Sequence, residues 1–223
     1  IDGEGTIYLS YKHDNRYYDG YVSMVDNNKK DLKYDFGKAV VNVAADEDMY
    51  DIAPLGMYGN KDVKAVINAG QLNLSMLYAG MMGTQAMMID SGTNLTINSD
   101  VNMKVSGGDY MVAGINMGHF GSGAGTKTSV TINGNLVSRG SGNDTSKDEY
   151  WGIRGSSENG GYGDYKGNRW APAGIYLGSE GGSSITVNGD VDLAVKGNGV
   201  VADAYYKVNG ENSLDNTITI AGG

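Results

Sequence analysis

Apolar and polar residues alternate over short stretches along most of this chain, and the stretches resemble one another. Asn94-Leu-Thr-Ile-Asn-Ser-Asp-Val101, Ser129-Val-Thr-Ile-Asn-Gly-Asn-Leu136 and Ser184-Ile-Thr-Val-Asn-Gly-Asp-Val191 align without a gap, and Asn216-Thr-Ile-Thr-Ile-Ala-Gly222 opens a further copy. Weaker copies lie at Val66–Gly70 and Val40–Val43. With the apolar residue before the Asn as marker, the copies fall at Val41, Ile67, Ile97, Ile132, Val187 and Ile220, with spacings of 26, 30, 35, 55 and 33. A second motif recurs as Ala79-Gly-Met-Met82, Ala113-Gly-Ile-Asn-Met-Gly118 and Ala173-Gly-Ile-Tyr-Leu-Gly178, with Ala202-Asp-Ala-Tyr205 a looser copy. A third segment, such as Asp100–Val105 or Asp190–Val195, lies between them.

Alternation in runs rich in Val, Ile and Thr, bounded by Gly, Asn, Asp and Ser, is the signature of strands. No window carries a helical period with a cap at each end. Three short strands per repeat of about 30–35 residues, with no helix between, predict an all-β fold: a parallel β-helix in which each strand pairs with its equivalent one turn away. Propeller blades need four antiparallel strands, and hexapeptide or nonapeptide coils need shorter periods. In a parallel β-helix, Asn98, Asn133 and Asn188 form one column and Thr96, Thr131, Thr186 and Thr219 another, because like residues on adjacent strands pair well. The recurrent Asn and Gly are expected at corners with positive φ.

The chain has 223 residues, the size of one domain or two small ones. Residues 1–36 fit no repeat well. Ile7–Tyr11 and Tyr17–Met24 read as strands, and the segment is expected to cap a shaft spanning 37–223. Ile218–Ile220 begins a repeat that the sequence leaves unfinished, so a fragment of a longer protein is expected. Glycine, at 36 residues, is more than twice its usual share of about 7%. Net charge is −9 and the pI about 4.6. No basic face is present for nucleic acid or for an anionic membrane, and no apolar run is long enough to span a bilayer. The absence of Cys removes disulfides, thiolate metal sites and cysteine nucleophiles. Tyr outnumbers Phe 16 to 2, which places aromatics where one end stays wet.

The stretch Ile185-Thr-Val-Asn-Gly-Asp-Val-Asp-Leu-Ala-Val195, continuing to Asp203 and followed later by Asn216–Gly223, resembles the passenger region of monomeric autotransporters (type V secretion) of Gram-negative-type bacteria. Val130–Ser141 and Thr93–Gly107 carry the same resemblance, which covers roughly residues 60–223 through composition and repeat rhythm. It implies a right-handed β-helix exported through the outer membrane and displayed on the cell surface. The only membrane contact it implies is through a C-terminal barrel that this sequence does not contain. Most such passengers without an inserted enzyme act as adhesins or self-association factors.

The 55-residue spacing locates an insertion of about 25 residues at 141–171. A coil of that length at a corner must project from the shaft. It holds both Trp residues of the chain, Trp151 and Trp170, with Tyr150, Tyr162, Tyr165, Arg154 and Arg169. Rigid aromatic anchors among Gly, Ser and Asn are the alphabet of binding loops. These seven residues are the candidate ligand-binding set; the alternative is that the Trp residues pin the loop to the shaft. The ligand is expected to be a glycan or a protein on a host or bacterial surface, with no cofactor and no enzymatic activity. His13, among Lys12, Asp14 and Arg16, and His119, in a Gly-rich corner, are isolated histidines with no nucleophile and orienting acid together at hand, so neither is read as a catalytic base. The column Asp100, Asn135 and Asp190 and the run Asp46–Asp48 read as solvated turns, with calcium as the alternative. Eleven Met residues, eight of them between Met76 and Met117, read as filler for a narrow core. Self-association through the shaft, with auto-aggregation and biofilm formation, is the second expected function. A polysaccharide-active β-helix enzyme is the third.

Overall fold

The computed structural model describes residues 4–12, 30–47, 53–57, 63–78, 84–89, 92–107, 112–117, 128–141, 173–177, 182–195, 198–202 and 216–223. Among them every ordered element is a strand and none is a helix. The strands are β1 Thr6–Lys12, β2 Asp31–Asp35, β3 Val40–Glu47, β4 Leu55–Met57 and β5 Lys64–Tyr78. They continue with β6 Thr84–Ile89, β7 Asn94–Gly107, β8 Val112–Met117, β9 Thr128–Ile132 and β10 Leu136–Ser141. The last are β11 Ala173–Leu177, β12 Ser183–Val187, β13 Val191–Val195, β14 Asn198–Ala202 and β15 Thr217–Ile220.

Two parallel sheets hold all of them. The larger runs β1-β3-β5-β7-β9-β12-β15, with β2 beside β5 and with β10 between β7 and β13. The smaller runs β14-β11-β8-β6-β4. Apolar residues facing inward from both sheets, among them Ile67, Leu74 and Ile97 from the larger and Met87, Ile115 and Leu177 from the smaller, merge in one buried cluster. Fully burying a side chain of this size contributes about 1.5–3 kcal/mol, so the two faces hold each other in place. Met57, Met76, Met87, Met88, Met103 and Met117 are all at most 2% exposed, as filler Met should be. Met88 alternates to the opposite face of β6 from Met87 and Ile89, where it is buried with Ala53.

The register of the larger sheet is the sequence repeat. Ile67 pairs with Ile97, Ile97 with Ile132, Ile132 with Val187 and Val187 with Ile220. The expected Thr column is present as Thr96, Thr131, Thr186 and Thr219. The first marker is misplaced, however: Val41 pairs with Leu72, and the residue opposite Ile67 is Tyr34. Val40-Val-Asn-Val43 belongs to the column of Leu72-Asn-Leu74 and Val101-Asn-Met103. Its apolar–Asn–apolar pattern imitates the neighbouring column, and only pairing separates the two. The first spacing is therefore 33, from Tyr34 to Ile67. β1 and β2, from the stretch read as a cap, both lie in the larger sheet, paired in parallel with β3 and β5.

The second motif is corrected in the same way. Ala113 does pair with Ala173, but its other partner is Gln85 and the other partner of Ala173 is Asn198. The counterparts in the smaller sheet are Gln85–Ile89 and Asn198–Ala202, displacing Ala79–Met82 and Ala202–Tyr205. Inward pairing of Met87 with Ile115, and of Ile89 with Met117, sets the register. A match of small residues carries no such weight.

Glycines at the corner have a different cause from the one expected. Positive φ occurs at Gly37 (58°), Gly92 (81°) and Gly182 (75°). Gly134 and Gly189 do not need it: a Cβ at Gly134 would be driven into Ser99 O, and one at Gly189 into Gly134 O and the Asn135 side chain. Gly is required there because successive backbones stack too closely for any side chain. In β5 two residues, Ala69 and Gly70, occupy the place of the single Ser99 of β7, a local bulge.

Gly134→Ala should destabilise the protein by about 3 kcal/mol, the upper part of the usual overpacking cost, visible as a lower melting temperature. Ser138 lies in an inward column between Met103 and Leu193, fully buried, and its Oγ has no hydrogen-bond partner. Ser138→Ala removes that unsatisfied hydroxyl and should raise stability by about 1 kcal/mol; a lower melting temperature would contradict the assignment.

Candidate functional site

Parallel in-register pairing brings identical outward side chains together, and their polar groups bond along the sheet. Asn98 donates through Nδ2 to Asn68 Oδ1 at 2.7 Å, Asn133 to Asn98 at 2.7 Å and Asn188 to Asn133 at 2.6 Å. The expected Asn column is thus a continuous amide ladder, one strand longer than expected. Asn68 in turn donates to the carboxylate of Asp35. At the other end the corresponding position is Ala221, in the strand turn that follows Ile220.

A second ladder escaped the sequence reading. Asn73 donates to Asn42 at 2.8 Å and Asn102 to Asn73 at 3.0 Å, with Gln71 also donating to Asn73 at 3.0 Å. Its signal, Asn between two apolar residues, is present in β3, β5 and β7, but in β3 it reads equally well as a copy of the Ile67 column. A third line is buried. Thr93, Thr128 and Ser183 stack at the start of successive strands, and Thr128 Oγ1 accepts the backbone N–H of Gly92 at 3.0 Å.

The column Asp100, Asn135 and Asp190 forms as expected. Asp100 Oδ1 accepts the N–H of Asn135 at 2.8 Å, Asn135 Oδ1 that of Asp190 at 2.9 Å, and Asp190 Oδ1 that of Gly223 at 2.8 Å. These oxygens cap the backbone of the next corner, which is a structural use. No group of three or more His, Asp or Glu side chains placed to hold a metal occurs among the described residues.

The insertion leaves from Ser141, the last residue of β10, and returns at Ala173, the first of β11. Both flanks are in register on both sides. Gly140 pairs with Val105 and with Val195, and Ala173 pairs with Ala113 and with Asn198. The step from Gly140 to Ala173 takes 33 residues where that from Val105 to Ala113 takes 8. The candidate binding residues Tyr150, Trp151, Arg154, Tyr162, Tyr165, Arg169 and Trp170 lie outside the described residues, as do His13, His119 and Asp48.

The outer faces on the two sides of the corner differ in charge. On β7, β9, β12 and β15 the outward positions form three columns. They are Asn94, Ser129, Ser184 and Thr217; the four Thr; and Asn98, Asn133 and Asn188, ending at Ala221. None is charged. Past the corner, Lys104 pairs with Arg139, and Arg139 forms an ion pair with Asp192.

No protein-family model matches the chain, and no curated protein or solved structure matches it significantly.

Asp35 closes the amide ladder and is held below the usual carboxylate range. The N–H of Gly37 is the largest cause, at 3.2 Å, followed by Asn68 and by Lys33 at 3.4 Å. A depressed carboxylate pKa adds stability above the unfolded value of 3.8, and that stability is lost as pH falls through the lower folded value. Asp35→Asn keeps an acceptor oxygen but loses the charge. Its melting temperature should lie below the native protein's at neutral pH and converge with it below pH 3.8; a constant gap would show that the charge is not what matters.

Proposed function

We propose that the chain is part of a right-handed parallel β-helix displayed on a bacterial surface, a passenger-type rod that binds through the insertion at 141–171. Three strand positions recur in fixed order, each paired in parallel with its equivalent in the next repeat, as successive turns of one coil require. The right-handed sense accords with the twist rule for parallel crossovers. The sequence resemblance to autotransporter passengers supports surface display.

The observation that carries the binding reading is the undisturbed register around the insertion. The strands that flank it, β10 in the larger sheet and β11 in the smaller, are each paired on both sides. On this reading the shaft is a scaffold, and the aromatic and Arg residues of the insertion serve recognition. Trp and Tyr faces cover the apolar face of a sugar or fill pockets on a protein, while Arg, Asn and Asp take the polar groups.

A second reading has its own support. Two copies of a chain carrying −9 repel, and the uncharged Asn, Ser and Thr columns of β7, β9, β12 and β15 give a face where copies meet without opposing like charges. On this reading the protein self-associates and cells aggregate.

One exchange separates the two. Residues 142–172 are replaced by Gly107–Val112, the short connection that the register makes equivalent. Circular dichroism should be unchanged, and binding to a glycan array and to cells should be lost. In the full-length insertion, Trp151→Ala or Trp170→Ala should each weaken binding about tenfold or more, as hot-spot residues do. Retained binding or clumping after the exchange sinks the loop reading. Its abolition by Thr131→Asp would then locate the interaction on the uncharged face.

A further inference from the structure

Packing and chemical durability oppose each other at the corner. The amide ladder calls for Asn at 133 and 188, and the stacked backbones call for Gly at 134 and 189. Asn followed by Gly is the dipeptide most open to attack by the main chain on its own side chain, because Gly has no Cβ to obstruct ring closure. The Gly nitrogen attacks Cγ of Asn and gives up its proton. The N–Cγ bond forms, the Cγ–Nδ2 bond breaks, and ammonia departs with the proton. Water then opens the succinimide at either carbonyl, leaving aspartate or isoaspartate. No reactant beyond water is needed.

Bonds in the structure oppose each movement that this attack requires. Cγ must rotate toward the following nitrogen, and Asn133 is clamped at both ends of its amide. Its Nδ2 donates to Asn98 at 2.7 Å and its Oδ1 accepts from Asn188 at 2.6 Å. Asn188 is held through its Nδ2, and its would-be nucleophile, the Gly189 nitrogen, is engaged with Gly134 O at 3.0 Å. The main-chain N–H groups of Asn133 and Asn188 are fixed to Ile97 O and Ile132 O at 2.8 and 2.9 Å.

We propose that Asn133–Gly134 and Asn188–Gly189 are latent deamidation sites held shut by the Asn68–Asn98–Asn133–Asn188 ladder, so that each opening of the ladder is recorded irreversibly in the main chain. Isoaspartate adds a methylene to the backbone between β9 and β10 or between β12 and β13 and displaces the register there. Loss of the Asn188 amide also releases Asn133 Oδ1, so damage at one site unlocks the other. This inference goes beyond the binding reading and does not depend on it.

The test follows isoaspartate at both positions by peptide mapping, with the protein held in mildly alkaline buffer either folded or in concentrated urea. Deamidation should be about tenfold or more slower in the folded protein at both sites, since it must await local opening. The Asn–Gly pairs at 159–160, 198–199 and 209–210 report the unprotected rate in the urea sample. Asn98→Ala removes the acceptor of the Asn133 amide and should speed deamidation at Asn133 in the folded protein. Asn98→Asp keeps an acceptor oxygen and should not. Equal rates with and without urea overturn the proposal, and an unchanged rate in folded Asn98→Ala assigns the protection to the backbone instead. If Asn98→Ala does not fold, Asn188→Ala strips the donor from Asn133 Oδ1 and is read the same way.

Discussion

Parallel in-register stacking places every side chain beside its own equivalent, and everything else in this protein answers to that constraint. Inward it asks for apolar residues that tolerate like neighbours, and Ile, Val, Leu and Met supply them. Outward it asks for polar groups able to bond to copies of themselves. A carboxylate or an ammonium would repel its neighbour there, whereas a carboxamide carries donor and acceptor in one plane and satisfies both sides. At the corner the constraint becomes steric, and only Gly fits between backbones that nearly touch. Asn, Thr and Gly recur in this chain because each solves one part of the same stacking problem.

On the proposed reading the arrangement also separates support from recognition. Because β10 and β11 are each paired on both sides, a long excursion between them costs little beyond loop closure, which grows slowly with length.

Much of the fold was legible because repetition is. The five later markers, the Thr column and the Asn column are all register positions, and the 55-residue interval located the insertion. What failed did so where two columns carry similar patterns. Val40–Val43 and Val66–Asn68 both read as apolar residues around an Asn or its equivalent, yet they sit on opposite sides of the corner. Ala79-Gly-Met-Met82 resembles Ala113-Gly-Ile-Asn-Met117 through small residues that do not determine pairing, whereas the inward Met87 and Ile89 do determine it. The sequence suggests backbone dihedrals as the reason for Gly, whereas close approach governs at 134 and 189. Distances between strands are not written in a single sequence. The candidate binding residues give a compositional signal but no repeat signal, since their sequence matches none of the recurring segments.

The side-chain ladders share one direction. In both Asn ladders, and along the Asp100–Asn135–Asp190 line, the later repeat donates to the earlier one. Each bonded amide in these lines therefore keeps its hydrogens on the early side and its oxygen on the late side, like a row of aligned magnets. The rows stop where the side chain changes: Asp35 meets the Asn68 line with acceptor oxygen, Tyr8 stands opposite Asn42, and Ala221 follows Asn188 with no amide to continue it. The order of the repeats is thus written into the amides as an arrow, which a reversed side chain at any one position would break.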